Sequence, residues 1–185
     1  MTQGRTVSES RVTLAAVVEP TDANFLGKMF GGALLARIDL CAYATSSRFC
    51  GHVAVTASFD RVDFHEPIEV GELVTMEGTV TYVGRTSMEV TIEVFAENLI
   101  KNVRRHTNTA RVTMVAIQDG KPVAVPSLIC ETREDKIRFL SGKLRKERRF
   151  RHRQEFEEMM AKLESATDDA LDQWLAAPNI DGLLS

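Results

Sequence analysis

The sequence contains little of what marks secreted, membrane-spanning or metal-binding proteins. Its three cysteines, Cys41, Cys50 and Cys130, lie far apart and form no CxxC pair. This spacing argues against a disulfide framework and indicates a reducing compartment. No run of about 18 apolar residues is present and the N-terminus has no apolar signal core, so we expect a cytoplasmic protein with no membrane partner. No metal-ligand spacing, internal repeat or low-complexity linker is present, and we expect no metal site.

The charge is distributed unevenly around a formal net charge of -3. Residues 136–153 read KIRFLSGKLRKERRFRHR and are strongly basic, so the remainder is acidic. Such a run can contact nucleic acid or the phosphates of a ligand. Glutamates within and after the run, from Glu147 to Glu158, favour a solvated helix face instead. We therefore expect oligomer contacts or an exposed helix here, and no nucleic-acid partner.

Hydrophobic periodicity predicts one strand, one helix and then four strands. A helix is predicted over residues 31–48, where only Arg37 and Asp39 carry charge before Ala44, so we expect it to be buried nearly all round. Short turns between the later strands make them antiparallel, and a buried helix against such a sheet gives an α+β fold. The predicted strand segments show apolar alternation or β-rich composition and cover residues 9–20, 52–64, 71–84, 84–97 and 108–126.

The character of the chain changes after Pro126, where charged, helix-forming residues dominate. We predict a long helix over residues 131–163 and a short one over residues 168–176. The sequence thus predicts two parts. Residues 1–130 form the domain that holds the sheet, and residues 131–185 form a charged, helical C-terminal extension.

Two glycines, Gly31 and Gly32, stand at the start of the predicted central helix. A helix start exposes unpaired N–H groups and the positive end of the helix dipole. Glycine lets a ligand approach this backbone closely, so the site can hold an anion or polarise a carbonyl oxygen. The alternative is that the glycines only allow the loop to pack closely on the sheet.

Three polar side chains flank the glycines. Asp39 lies two helical turns beyond Gly32, and such a carboxylate either forms a buried hydrogen bond or ion pair, or orients and activates a water. Asn24 and Asp22 precede the helix in the segment TDAN, where they are either turn and cap residues or site residues. Together, a carbonyl polariser, an amide and a carboxylate are the minimum needed to add water to an acyl group.

Three segments in this order carry a resemblance: PTDANFLGKMFGGALLARID, TASFDRVDFHEPIEVGE and GRTSMEVTIEV. They resemble the hot-dog-fold acyl-CoA thioesterases, and in particular the cytosolic acyl-CoA hydrolases, from about Arg11 to Pro126. The resemblance implies a long central helix wrapped by an antiparallel sheet. It also implies a homo-oligomer in which a dimer joins two sheets into one and is built up further into a hexamer. Active sites would lie between subunits.

The resemblance also implies roles for the flanking residues. Asn24 matches the family's catalytic amide, Asp39 matches a helix position that carries an acidic residue, and Asp22 is a second acidic candidate. Gly32 would supply the polarising N–H group. One departure is Phe30, since many members have histidine there; a branch of the family also carries phenylalanine.

The CoA part of the substrate needs cations or backbone donors for its phosphates. In the family, the segment that contains Arg85, Thr86 and Ser87 lines the CoA path, although the same residues can form a plain hairpin turn. Arg104 is an alternative phosphate contact, and Gly31 would allow close approach at the helix start. No cofactor is expected, because CoA is part of the substrate.

Three functions are compatible with this sequence. The first is an acyl-CoA thioesterase, which hydrolyses acyl-CoA to a fatty acid and free CoA. The second is a non-catalytic regulator that binds acyl-CoA. Such regulators usually carry a DNA-binding module, and no helix-turn-helix pattern precedes this domain. The third is a dehydratase acting on acyl-carrier thioesters, which would use a histidine where Phe30 stands. The presence of both Asn24 and Asp39 favours the thioesterase.

Overall fold

The computed structural model describes residues 4–60, 62 and 66–178, and it confirms the predicted order of one strand, one helix and four strands. A single 3-10 turn, Pro20–Asp22, precedes the central helix. The predicted extension of the second strand beyond residue 60 lies largely outside the described residues. In chain order the elements are β1 (Arg5–Thr6), α1 (Val7–Ser10), β2 (Val12–Val17), α2 (Gly31–Cys50), β3 (Val53–Phe59), β4 (Leu73–Val83), β5 (Ser87–Asn98), β6 (Val103–Gln118), β7 (Lys121–Pro122), β8 (Leu128–Ile129), α3 (Arg133–Glu164) and α4 (Asp168–Ala176).

The main sheet is antiparallel and has the strand order β2-β4-β5-β6-β3, with β7 paired to the end of β6. Strands β4, β5 and β6 form two consecutive antiparallel hairpins, in line with the short turns predicted between the later strands. Asp119 and Gly120, between β6 and β7, both have a positive φ. A separate parallel pair joins β1 to β8.

Helix α2 packs against one face of this sheet, and the two elements are in close contact at Gly78 in the middle of β4. A Cβ atom on Gly78 would lie 2.2 Å from the Thr45 hydroxyl and 3.0 Å from the Cys41 sulfur. Glycine is therefore required at this strand position because the helix leaves no room for a side chain. The core lies between the two elements and includes Ile38, Phe49, Met76, Val90, Ile92 and Met114.

The prediction that α2 is buried nearly all round is wrong for the single chain. Leu40 is 59% exposed and Tyr43 is 44% exposed, on the side of the helix away from the core. A sheet buries only the side of a helix that faces it, so an apolar outer side needs another cover. The neighbouring edge strand β3 is also open, with Val53 and Val55 exposed.

The outer face of the sheet is partly covered by the first turns of α3. Gly142 lies so close to β4 that an added Cβ would be 2.5 Å from the Cβ of Tyr82. The ring of Phe139 packs against Tyr82 with centroids 5.1 Å apart. Glu89 is only 2% exposed, and Thr81 Oγ1 donates to its carboxylate over 3.1 Å. The polar alternate face of β5 is therefore buried here, because a helix lies over it.

The chain divides into two compact units, Met1–Gly142 and Lys143–Ser185. The boundary lies inside α3, and the division at residue 130 stays a prediction. The first unit holds the sheet and α2. The second contains the later part of α3 and then α4, whose first turn is capped by the Thr167 hydroxyl. Both C-terminal helices occur where the sequence predicts them. Within the described part of the chain, no helix has the length and apolar character needed to cross a membrane.

Candidate active site

The loop before α2 fixes the side chain of Asn24. Its Oδ1 accepts hydrogen bonds from the backbone N–H groups of Leu26 and Lys28, at 2.9 and 3.1 Å. Its own backbone N–H donates to the carbonyl of Lys28 over 2.7 Å. Asparagine suits such a turn because its side chain bonds the backbone two to four residues on. With the amide oxygen occupied, the group that Asn24 can offer to a ligand is its Nδ2.

Asp22 connects this loop to α2. Its carboxylate accepts from Arg37 Nη2 over 2.5 Å and from the backbone N–H of Glu19 over 3.0 Å. Its backbone carbonyl accepts from the N–H of Phe30 over 2.7 Å. Asp22 therefore acts as a cap residue, which was one of the two roles that the sequence left open for it.

The start of α2 is open to a ligand. Phe30 is its N-cap and forms no side-chain hydrogen bond to the helix backbone. An added Cβ on Gly32 would lie 2.4 Å from the Phe30 ring, so this glycine is needed for the close approach of the ring. A cavity of about 340 Å³ lies beside the helix start, bordered by Asn24 and Gly31. Most of its remaining wall is apolar and comes from Leu26, Met29, Leu34, Pro67 and Ile68.

Ion pairs hold the wall of this cavity in place. Arg105 donates to both carboxylate oxygens of Glu72 at 2.7 Å and to the carbonyl of Pro67 at 2.8 Å. It also lies 3.1 Å from the Glu66 carboxylate. The Arg105 guanidinium holds the pKa of the Glu72 carboxyl below its ordinary value. The segment after Glu66 is thus attached to β6, while Lys28 pairs with Glu69 on the other side of it.

Asp39 forms a hydrogen bond with a residue that the sequence did not single out. The Thr56 hydroxyl donates to Asp39 Oδ1, with 2.5 Å between the oxygens. The register between β3 and β6 shifts between Thr56 and Ser58, and such bulges often re-aim side chains next to active sites. The sequence contained one indication that Thr56 belongs to the site, because it is the first residue of the second segment that carries the family resemblance.

The two halves of the candidate site are separated within one chain. Asp39 follows Gly32 by seven helical residues, which places their Cα atoms about 10 Å apart along the axis. A group that activates water must be within hydrogen-bond reach of the water that attacks the carbonyl carbon. One chain therefore brings Asn24 to the helix start but does not bring Asp39 there.

The residues predicted to contact CoA also lie in two separate places. Arg85, Thr86 and Ser87 form the turn between β4 and β5, and Arg85 is exposed. Ser87 pairs with Val115, which pairs with Val55 beside Thr56, so the turn lies about 10 Å from Thr56. Arg104 pairs with Glu97, at the opposite end of β6. Its guanidinium is 2.8 Å from the Glu77 carboxylate and stacks over the Phe95 ring at 4.2 Å.

The thiols are not arranged as nucleophiles. Cys41 and Cys50 are buried in the core, and burial raises the pKa of both thiols. Burial likewise raises the pKa of the Cys130 thiol. Across residues 4–60, 62 and 66–178, no group of three or more histidine, cysteine, aspartate or glutamate side chains is placed to hold a metal ion.

Comparison with known proteins identifies the family of this chain. Residues 26–103 match the thioesterase superfamily. An uncharacterized acyl-CoA thioester hydrolase of Bacillus subtilis, YkhA, is 41% identical over 132 residues, which cover 71% of this chain and 77% of that protein. The solved structure of an apo-hexameric acyl-CoA thioesterase is 40% identical with a TM-score of 0.78, covering 81% of this chain and 97% of that one.

A third relative is an acyl-CoA hydrolase of Staphylococcus aureus, solved in complex with butyryl-CoA, CoA and CoA disulfide. It is 34% identical with a TM-score of 0.76, over 87% of this chain and 99% of that one. The same hydrolase has been solved with single alanine replacements of an asparagine, an aspartate and a threonine. These three residues follow one another at spacings of 15 and 17 positions.

The chain belongs to the thioesterase superfamily, among its hot-dog acyl-CoA thioester hydrolases. The resemblance read from the three sequence segments is thereby confirmed. So is the α+β architecture, with a long central helix, a curled antiparallel sheet and a C-terminal helix.

Proposed function

We propose that this chain hydrolyses acyl-CoA to a fatty acid and free CoA at a site built from two copies of the chain. The spacing of three residues carries the proposal. Asn24, Asp39 and Thr56 are separated by 15 and 17 positions, like the asparagine, aspartate and threonine replaced in the Staphylococcus aureus hydrolase. Asn24 borders the cavity at the helix start, and Thr56 is bonded to Asp39.

One half of the site binds and polarises the thioester. The carbonyl oxygen points at the start of α2, where the Gly32 N–H donates to it and stabilises the negative charge that develops during attack. Asn24 presents Nδ2 beside this position, because its Oδ1 is held by the loop backbone. The apolar wall of the neighbouring cavity suits the acyl chain.

The other half activates water. Asp39 accepts a proton from a water molecule as the water oxygen forms a bond to the carbonyl carbon. The resulting oxyanion collapses, the carbon–sulfur bond breaks, and the electron pair leaves with the sulfur of CoA. The proton held by Asp39 passes to that sulfur, which yields CoA thiol and the carboxylic acid. Thr56 holds the Asp39 carboxylate in one orientation through its hydrogen bond.

A second copy would bring the two halves together. The open edge of β3 and the exposed side of α2 lie next to each other, with Leu40, Tyr43, Val53 and Val55 exposed. Pairing of two β3 strands would continue the sheet from one copy to the other and cover this apolar surface. The structural relative named as hexameric supports further assembly of such dimers into a hexamer.

The CoA nucleotide would then run along the surface toward a cation. The turn of Arg85, Thr86 and Ser87 offers an exposed guanidinium and two hydroxyls near Thr56. Arg104 is a weaker candidate, because Glu77 and Phe95 already contact its guanidinium. No resident cofactor is needed for this chemistry, and a cytoplasmic location stays a prediction.

Release of free thiol from a panel of acyl-CoAs, short to long, tests this proposal with the purified full-length chain. We expect turnover with a maximum at one range of acyl lengths. Binding of acyl-CoA without thiol release would overturn the proposal and favour the regulator. Dehydration of a hydroxyacyl thioester, with no release of thiol, would favour the dehydratase.

A further inference from the structure

We infer that the Asp22–Arg37 ion pair is a positioning device that sets the Asn24 amide against the start of α2. Asp22 lies two residues before Asn24, and Arg37 lies two residues before Asp39. The inference rests on the proposed function, since it assigns a role in the same reaction. It also gives Asp22 a role different from that of a second water-activating carboxylate.

The pair joins the segment before the loop to the second turn of α2. Arg37 Nη2 and Asp22 Oδ2 are 2.5 Å apart, and the two side chains are 21% and 17% exposed. The backbone of Asp22 adds a second link, because its carbonyl accepts from the N–H of Phe30, the N-cap of α2. Asp22 is therefore attached to α2 at two places. Its backbone carbonyl bonds the start of the helix, and its side chain bonds Arg37 in the second turn.

A second side-chain attachment of the loop is weaker. Lys28 pairs with Glu69 on the side of the cavity wall, and these side chains are 37% and 45% exposed. Solvent screens such a pair more strongly than the less exposed Asp22–Arg37 pair. Asp22–Arg37 is thus the stronger of these two side-chain attachments.

Asp22 is poorly placed to act on water itself. Its Oδ2 already accepts from Arg37 and from the Glu19 N–H. The same contacts make it a good anchor. Arg37 Nη1 is buried and has no hydrogen-bond partner among the residues that the structure describes. Within those residues, Asp22 is the one carboxylate that pairs with this guanidinium.

The effect on the reaction follows from geometry. A displacement of about 1 Å in a group that orients a substrate can cost 100-fold in rate. Replacing Arg37 by methionine keeps an unbranched, flexible stem and removes the charged pair. We expect kcat to fall about 10- to 100-fold while KM for acyl-CoA changes less than about threefold, because the loss affects the polarised thioester more than the binding of CoA. Arg37→Lys keeps the charge and should restore most of kcat.

A double-mutant cycle with Asn24→Ala gives the decisive measurement. If the pair acts through Asn24, Arg37→Met costs little further in the Asn24→Ala background, so the two losses are not additive. Arg138→Met is the matched control, since Arg138 forms a more exposed ion pair with Glu134 on α3, and it should leave kcat unchanged. Circular dichroism melting shows whether Arg37→Met folds, and if it does not, Asp22→Asn replaces it in the cycle.

Three results would overturn the inference. They are an unchanged kcat in folded Arg37→Met, a kcat loss that adds fully to that of Asn24→Ala, or a loss that Arg37→Lys does not rescue. These differ from failure of the proposed function, in which the wild-type chain itself releases no thiol from any acyl-CoA.

Discussion

The hydroxyl of Thr56 donates a hydrogen bond to the carboxylate of Asp39, across the gap between edge strand β3 and helix α2. A hydrogen bond to a charged group is worth about 1.5–3 kcal/mol. We therefore expect Thr56→Val to lower kcat/KM about 10- to 100-fold, because Asp39 loses its fixed orientation. Thr56→Ser keeps the hydroxyl and should retain most activity. Equal activity of the valine and serine variants would mean that the bond serves packing alone.

Asn24 and Asp39 should each be essential for turnover. Positioned acid–base groups contribute about 10²- to 10⁴-fold to rate. We expect Asn24→Ala and Asp39→Ala each to reduce kcat by two or more orders of magnitude, measured by thiol release with folded protein. Near-normal hydrolysis by folded Asp39→Ala would return Asp39 to a structural role.

Mixing those two inactive variants should restore activity. If each site takes Asn24 from one copy and Asp39 from the other, a mixed dimer has one intact site and one doubly defective site. Random assembly from equal amounts makes half of the dimers mixed, so about a quarter of wild-type activity is expected. Co-expression with two affinity tags, followed by tandem purification, isolates the mixed species. If purified mixed oligomers stay inactive, the site does not combine these residues from different chains.

Gly78→Ala should destabilise the fold by pushing α2 away from the sheet. The added methyl group would lie 2.2 Å from the Thr45 hydroxyl and 3.0 Å from the Cys41 sulfur. Overpacking of this kind costs about 1–3 kcal/mol. Thermal melting at fixed protein concentration measures the loss, and Thr45→Ala in the same chain should recover part of it by making room. A Gly78→Ala chain as stable as the wild type would show that the helix shifts at no cost.

Low pH should destabilise the folded chain, because it protonates Glu72 and removes its ion pair with Arg105 in the cavity wall. Arg105 holds the pKa of this carboxyl below its ordinary value of 4.5 in the folded chain. The pair therefore contributes stability that is present above pH 4.5 and is lost as the pH falls through the lowered pKa. Urea unfolding at several values between about pH 3 and pH 6 should show a steeper loss for the wild type than for Arg105→Met. Parallel curves for the two proteins would rule out this linkage.

The sequence predicted the elements well because their signals are local. The glycine pair at Gly31 is followed by an apolar run, and alternation from Met88 to Val94 marks a strand. The contact between Thr56 and Asp39 joins residues 17 positions apart and depends on how α2 lies against β3, so no local pattern contains it. The burial of Glu89 depends on the docking of α3, and Leu40 is exposed because the single sheet covers only one side of the helix.

Candidate roles were harder to separate than elements. Asp22 and Asp39 are both acidic residues near the same glycines, and sequence alone gives them similar weight. Their partners distinguish them, since Asp22 is bonded to a guanidinium and Asp39 to a hydroxyl. That difference arises from tertiary packing, which sets the residues that α2 meets on its two sides.

The open edge of β3 has a consequence for the life of the newly made chain. In the proposed assembly a second copy covers its unpaired N–H and C=O groups, which until then can pair with any extended segment. Val53 and Val55 are exposed there, so such pairing would also bury apolar surface. The interval between synthesis and assembly is therefore the stage at which wrong association competes with the right one. The yield of active protein in a cell then depends on the rate at which two copies associate, and not only on the stability of each folded chain.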